Sequence, residues 1–265
     1  MVEGVMLDID GVLTVSWEPL PHAAETVRWL NGQGIAYRLV TNTSSRPRSH
    51  IAGLLAEAGM AVTESSILTA VTAASSYLTD RFPGASCYVL NEGDLSVDLT
   101  GVQMVGPTEA DVILLGGAGP STGYVELDAV FKRALEGTPV IALHRNARFQ
   151  KSDGAALDMG AFITGLEAAA DFEVVVVGKP AKAFYEAALS DLGSTPETTM
   201  MVGDDIGADV IGAQAVGAMG VLVKTGKFRP SDLEGRARPD QVIDDIGQLP
   251  ALIERLRTGA PPVGR

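Results

Sequence analysis

Asp8-Ile9-Asp10-Gly11-Val12-Leu13-Thr14 follows directly on the apolar run Val5-Met6-Leu7. The apolar run reads as a strand from Val5 to Ile9, which puts Asp8 at its C-terminal end, Asp10 two residues on, and Gly11 where the chain must turn tightly. Side chains two apart on a strand point the same way, so both carboxylates are expected on one side while the strand lasts. In open parallel sheets that carboxyl edge is where ligands bind. Taken alone, the run reads equally as an Asp-Gly turn closing a strand.

Outward from this run, short β-branched and apolar stretches alternate with longer amphipathic ones, the pattern of parallel strands joined by helical crossovers in an α/β protein. The clearest strands are Val5 to Ile9, Ala36 to Val40, Cys87 to Leu90, Val112 to Leu115, Val140 to Leu143, Val174 to Val177, Met200 to Val202 and Val221 to Val223. Helical patterns cover Ala23 to Asn31, Arg48 to Glu57, Tyr124 to Leu135, Ala181 to Leu192 and Asp209 to Val216. The run Val174-Val175-Val176-Val177 is apolar without alternation, as in a strand covered on both faces, and so reads as part of a sheet interior. Residues 69–171 hold strands and helices of their own and read as a second domain inserted into a core of residues 1–68 and 172–265. Residues 259–265 lack a core-forming pattern and read as a frayed tail.

The composition is that of a globular enzyme able to bury a core: 265 residues, 46% hydrophobic and 20% charged. A formal charge of -13 repels nucleic acid and anionic membranes, so any anion-binding site must be positive only locally. The single cysteine, Cys87, cannot form an internal disulfide and reads as a small buried hydrophobe in a cytoplasmic protein. No basic stretch leads into an apolar segment at the start, and no apolar run is long enough to span a bilayer. The glycosylation pattern Asn42-Thr43-Ser44 carries no weight in that setting.

Three further strand ends carry polar groups. Val40-Thr41-Asn42-Thr43 offers hydroxyl, amide and main-chain donors, as an anion site or a helix cap would. Gly178-Lys179-Pro180 offers a lysine held at a strand edge. Met201-Val202-Gly203-Asp204-Asp205-Ile206-Gly207-Ala208-Asp209 ends a strand in three carboxylates. Capping accounts for Asp209 well and for Asp204 poorly, since Asp204 sits on the strand edge. Clustered carboxylates repel, by about 4 kcal/mol for two unit charges ~4 Å apart at an effective dielectric near 20, and a cation removes that cost. All-oxygen ligands beside a phosphate favour Mg²⁺.

In this order the four segments resemble the four motifs of the haloacid dehalogenase superfamily, and the resemblance spans the whole chain. The insertion resembles the large α/β cap of the class IIA, NagD-type subgroup. The stretches His144-Arg145-Asn146-Ala147-Arg148-Phe149-Gln150-Lys151, Val177-Gly178-Lys179-Pro180 and Val223-Lys224-Thr225-Gly226-Lys227-Phe228-Arg229-Pro230-Ser231-Asp232 are similar to relatives of the phospholysine, phosphohistidine and inorganic pyrophosphate phosphatase. The resemblance implies a Rossmann-like doubly wound parallel sheet with an inserted cap, and a phosphatase acting on a small phosphorylated metabolite. It implies Asp8 as nucleophile and Asp10 as general acid and base. Mg²⁺ would be held by Asp8, the Asp10 carbonyl and Asp204, and phosphate by Gly11, Thr41, Asn42 and Lys179. Asp205 and Asp209 would orient these ligands or touch the metal, and a homodimer through the cap stays open.

Other residues carry less. His144, Arg145, Arg148 and Lys151 could meet a substrate or form a solvated basic loop, and Arg46 and Arg48 could draw anions. His22 and His50 lack metal-ligand spacing, and Trp17 and Trp29 read as packing residues. Gly116 to Gly123 lacks the ending of a P-loop and the context of a dinucleotide site, so no nucleotide cofactor is implied. A receiver-like phosphoaspartate binding module also unites acids, Thr and Lys on a parallel sheet, but at about half this length.

Overall fold

The computed structural model describes residues 2–151, 154–236 and 238–258. The expected tail, residues 259–265, lies outside them, as does the side chain of Lys151. Contacts divide the chain into two units, one containing the chain up to Thr41, Ser49–Leu68 and the chain from Pro180, the other Asn42–Arg48 and Thr69–Lys179.

The first unit is built on a six-stranded sheet in the order Gln241–Ile243, Met219–Val223, Thr199–Gly203, Gly4–Leu7, Ala36–Thr41, Ile67–Thr69. The strands from Gln241–Ile243 to Ala36–Thr41 are parallel. Gly4–Leu7 is buried along its whole length, as its unbroken apolar run requires of a central parallel strand. Val5 and Leu7 join a core with Val27 and Leu30 of the helix Ala23–Gln33 and with Leu252 and Ile253 of the helix Leu249–Thr258. From Gly4–Leu7 the chain proceeds to one side of the sheet, through Ala36–Thr41 and Ile67–Thr69, and on its return fills the other side from Thr199–Gly203 outward. The strand order therefore reverses between Gly4–Leu7 and Thr199–Gly203, the point in such sheets where connecting segments diverge and leave a crevice.

The second unit has a five-stranded parallel sheet ordered Val175–Val176, Val140–Ala142, Val112–Leu115, Ser86–Leu90, Gln103–Met104, and a separate hairpin, Arg148–Lys151 with Gly154–Leu157. Alternate residues feed two cores: Val112 and Leu114 pack with the helix Ala70–Arg81, Ile113 and Leu115 with the helices Tyr124–Leu135 and Met159–Ala170.

Two expectations are corrected here. The valine run does not lie in a sheet interior: Val175–Val176 forms the edge of the second sheet, paired with Ile141–Ala142, and Val175 is 43% exposed. An apolar run announces a strand but not its partner, and the contact unit that holds this strand runs on to Lys179. The segment Asn42–Arg48, expected in the core, folds with the second unit because its polar groups are spent there. Asn91 Nδ2 donates to the Ser44 carbonyl at 3.1 Å, and Arg48 reaches Asp98 through its main-chain N–H at 2.9 Å and its Nε at 3.2 Å.

Candidate active site

Leu7 is in register with Leu39 on one side and with Val202 on the other. Asp8 is therefore level with Val40 and Gly203, and Thr41 and Asp204 follow one residue further on. All three functional candidates stand at the carboxyl edge of adjacent strands, across the point where the sheet order reverses.

Asp8 continues the ladder, its N–H donating to the Val202 carbonyl at 2.9 Å, and its Oδ1 accepts from the Ile9 N–H at 2.8 Å. The strand proper ends at Leu7, and the chain then folds over Ile9, whose carbonyl accepts from the N–H groups of Leu13 and Thr14. This early turn separates the two carboxylates that strand alternation placed on one side: Asp8 is buried and Asp10 is exposed. Gly11 turns with φ of 91°, and a Cβ there would stand 2.0 Å from Asp204 Oδ2. Only glycine admits both the dihedral and the carboxylate at this point.

Asp204 is 1% exposed. Its Oδ2 accepts from the Lys227 N–H at 2.7 Å, while its Oδ1 is buried with no hydrogen-bond partner. Carboxylate oxygens of Asp8, Asp204 and Asp209 lie within 4.8 Å of one another. Burial, then the charge on Asp8, pushes the Asp204 carboxyl up to about 8; the Lys227 charge and N–H oppose the rise, and Asp209 adds to it. A buried orphan oxygen among like charges is costly and calls for a partner. A divalent cation with oxygen ligands fits this donor set.

Asp209 is drawn into the cluster by the backbone before it. Asp205, not Asp209, caps the next helical segment, its Oδ1 accepting from Gly207 and Ala208 N–H groups, both at 2.9 Å. That segment opens as a π-helical turn, Ile206–Ile211, rather than as the α-helix expected from Asp209. The wider turn brings Asp209 back beneath the strand end, where it is fully buried and its Oδ2 accepts from the Asp205 N–H at 3.1 Å. Tyr185 braces the turn by donating to the carbonyls of Ala208 and Asp209.

The model of haloacid dehalogenase-like hydrolases matches residues 5–104, and a second, HAD-hydrolase-like model matches residues 176–249. Human haloacid dehalogenase-like hydrolase domain-containing protein 2 is 36% identical over 233 residues, 88% of either chain. The chain belongs to the haloacid dehalogenase-like hydrolase family. The phospholysine phosphohistidine inorganic pyrophosphate phosphatase of Xenopus laevis is 33% identical over 238 residues, 87% of this chain and 86% of that one. The p-nitrophenyl phosphatase of Archaeoglobus fulgidus superposes with a TM-score of 0.88 at 29% identity, over 95% of this chain and 99% of that one. NagD of E. coli K-12 superposes with a TM-score of 0.84 at 26% identity, over 93% and 98%. These neighbours place this hydrolase among the phosphatases of the family, in its NagD-type class.

In this family member, Asp8, Gly11, Asp204 and Asp209 come together in the first unit, with Thr41 buried at the neighbouring strand end. Asn42 and Lys179 come together in the second: Asn42 Oδ1 accepts from the Lys179 N–H and its Nδ2 donates to the Lys179 carbonyl, each at 2.9 Å. Among the weaker candidates, Arg48 is bound to the buried carboxylate of Asp98, and Arg145 is paired with Glu167. His144 is buried within 3.9 Å of Asp158, whose Oδ1 caps the helix Met159–Ala170. The contribution of Thr225-Gly226-Lys227 to the site was not apparent from spacing, because nothing in that turn is acidic or nucleophilic. Among the described residues no helix is long and apolar enough to cross a membrane.

Proposed function

We propose that this phosphatase is Mg²⁺-dependent and hydrolyses a small phosphorylated metabolite through an aspartyl phosphate on Asp8. The observation that carries the reading is the orphaned Oδ1 of Asp204, buried beside the Asp8 carboxylate at the reversal point of the sheet. Asp8 and Asp204, with the Asp10 carbonyl, would hold the ion, and Asp209 would orient Asp204 or touch the metal. When bound, Mg²⁺ supplies the positive charge that lets a carboxylate approach a phosphoryl group.

The residues divide the work as follows. The Asp8 carboxylate attacks phosphorus, forming the Asp8–phosphoryl bond as the bond to the leaving group breaks. Asp10, which is exposed to solvent, gives its proton to the departing oxygen or nitrogen. It then takes a proton from the water that displaces Asp8 and releases phosphate. Gly11, Thr41, Asn42 and Lys179 hold phosphoryl oxygens as charge develops, Asn42 with the Nδ2 hydrogen left over from its bond to the Lys179 carbonyl. Relatives named for p-nitrophenyl phosphate and for phospholysine, phosphohistidine and pyrophosphate support a substrate with a phosphomonoester, P–N or P–O–P bond.

The test is phosphate release from p-nitrophenyl phosphate, pyrophosphate, phospholysine and a panel of sugar and nucleoside monophosphates, with Mg²⁺ or with chelator. Turnover is expected only with Mg²⁺, lost in Asp8→Asn and lowered about 10²–10⁴-fold in Asp10→Asn. Undiminished turnover by Asp8→Asn would refute the covalent route, and silence on every phosphate would favour a phosphate-binding role instead.

A further inference from the structure

The turn after the strand Met219–Val223 belongs to none of the four segments that carry the chemistry, yet it closes on the site. Thr225 Oγ1 donates to the Gly11 carbonyl, and the Lys227 N–H donates to Asp204 Oδ2 at 2.7 Å. Gly226 lies between them with φ of 57°, and a Cβ there would stand 2.0 Å from Asp204 Oδ2 and 2.5 Å from Gly11 Cα. A turn serving only its own strand would bond within that strand. Here a side-chain hydroxyl, a main-chain N–H and a glycine all face the same carboxylate and the turn beneath it.

A terminal carboxylate rotates over a broad range about its last bond and can present either oxygen. These contacts remove that freedom. Oδ2 is taken by a main-chain donor, Gly11 is pinned against it, and Oδ1 is the oxygen left over, buried and unpartnered. We propose that Thr225-Gly226-Lys227 is a positioning latch for Asp204 that selects Oδ1 as the oxygen offered to the metal. The proposal rests on the metal reading given above. Contacts one step behind a metal ligand are worth about 10–100-fold in affinity, which sets the size of the effect to be sought.

The test is calorimetric titration of Mg²⁺ into the native chain, Thr225→Val and Thr225→Ser, without substrate, alongside melting curves with and without Mg²⁺. Thr225→Val keeps the shape and loses the hydroxyl. It is expected to bind Mg²⁺ at least about tenfold more weakly and to recover turnover as Mg²⁺ is raised, while Thr225→Ser stays near the native affinity. Equal affinity of Thr225→Val and the native chain would overturn the latch, as would a loss in Thr225→Ser matching that in Thr225→Val. Failure of the native chain itself to bind Mg²⁺ would overturn the metal reading and the latch together, and it would be seen before any substitution was made.

Discussion

Asp204 stands one residue beyond the level of Asp8 on the adjacent strand, and burial together with the Asp8 charge pushes its carboxyl from 3.8 up to about 8. Between these values the folded metal-free chain keeps a proton that the unfolded chain has lost. This group's contribution to stability is therefore complete below the lower value and is lost as pH rises through the upper one. Melting of the metal-free protein is expected to occur at lower temperature at about pH 8 than at about pH 6, with Mg²⁺ giving its largest rise at the higher pH. Asp204→Asn should shrink both effects. A native melting temperature that is flat in pH, or a variant that keeps the Mg²⁺ response, would contradict the electrostatic account of the cluster.

Gly203 and Asp209 are in tighter contact than any larger residue could allow, since a Cβ at Gly203 would stand 2.2 Å from the Asp209 Cβ. Both are buried, so Gly203→Ala must push the π-helical turn away from the strand end. Urea unfolding should show a loss of about 1–3 kcal/mol, the usual cost of overpacking, together with weaker Mg²⁺ binding. A variant with native stability and native metal affinity would show that Asp209 need not sit where it does.

The reciprocal bonds between Asn42 and Lys179 tie the end of one chain crossing to the end of another. Asn42→Ala removes both of these bonds from the main chain of a residue only 4% exposed, and should cost about 1–3 kcal/mol as well as activity. Lys179→Met keeps those main-chain bonds and should lose turnover by about 10²–10³-fold through the missing charge. Comparing unfolding curves with kcat for the two variants separates holding from charge. If Asn42→Ala unfolds like the native chain, the amide has no structural role.

Cys87 lies in the core of the second unit, and burial pushes its thiol up to about 12 despite the opposing hydrogen bond with the Leu114 main chain. The thiol stays protonated at ordinary pH and cannot act as a nucleophile. Native protein at about pH 8 should resist a thiol reagent that labels the denatured chain at once. Rapid stoichiometric labelling of the native chain would show that this part of the unit opens far more readily than its packing suggests.

Much of the site could be read from spacing, because its parts are local. A strand end, an acid and a glycine sit within a few residues of one another in Asp8-Ile9-Asp10-Gly11, and strand periodicity alone locates Thr41, Lys179 and Asp204 at strand ends. Division of labour within each segment was less legible. Asp205 and Asp209 are both acids near a helix start, and which one caps depends on the π-helical path between them. Asp8 and Asp10 part because the strand stops at Leu7, short of the end at Ile9 expected from the sequence.

By itself the sequence determined the α/β class, the nucleophile candidate and the family, since each follows from short-range patterns that pairing cannot alter. Tertiary structure alone decided which sheet receives Val175–Val176, that Asn42–Arg48 folds with the second unit, and that Asp209 and the Thr225-Gly226-Lys227 turn close on Asp204. The reason is the same in each case. Strand partners, main-chain donors and close approaches at glycine are chosen between residues far apart in the chain, and a backbone N–H such as that of Lys227 leaves no mark on the identity of its residue.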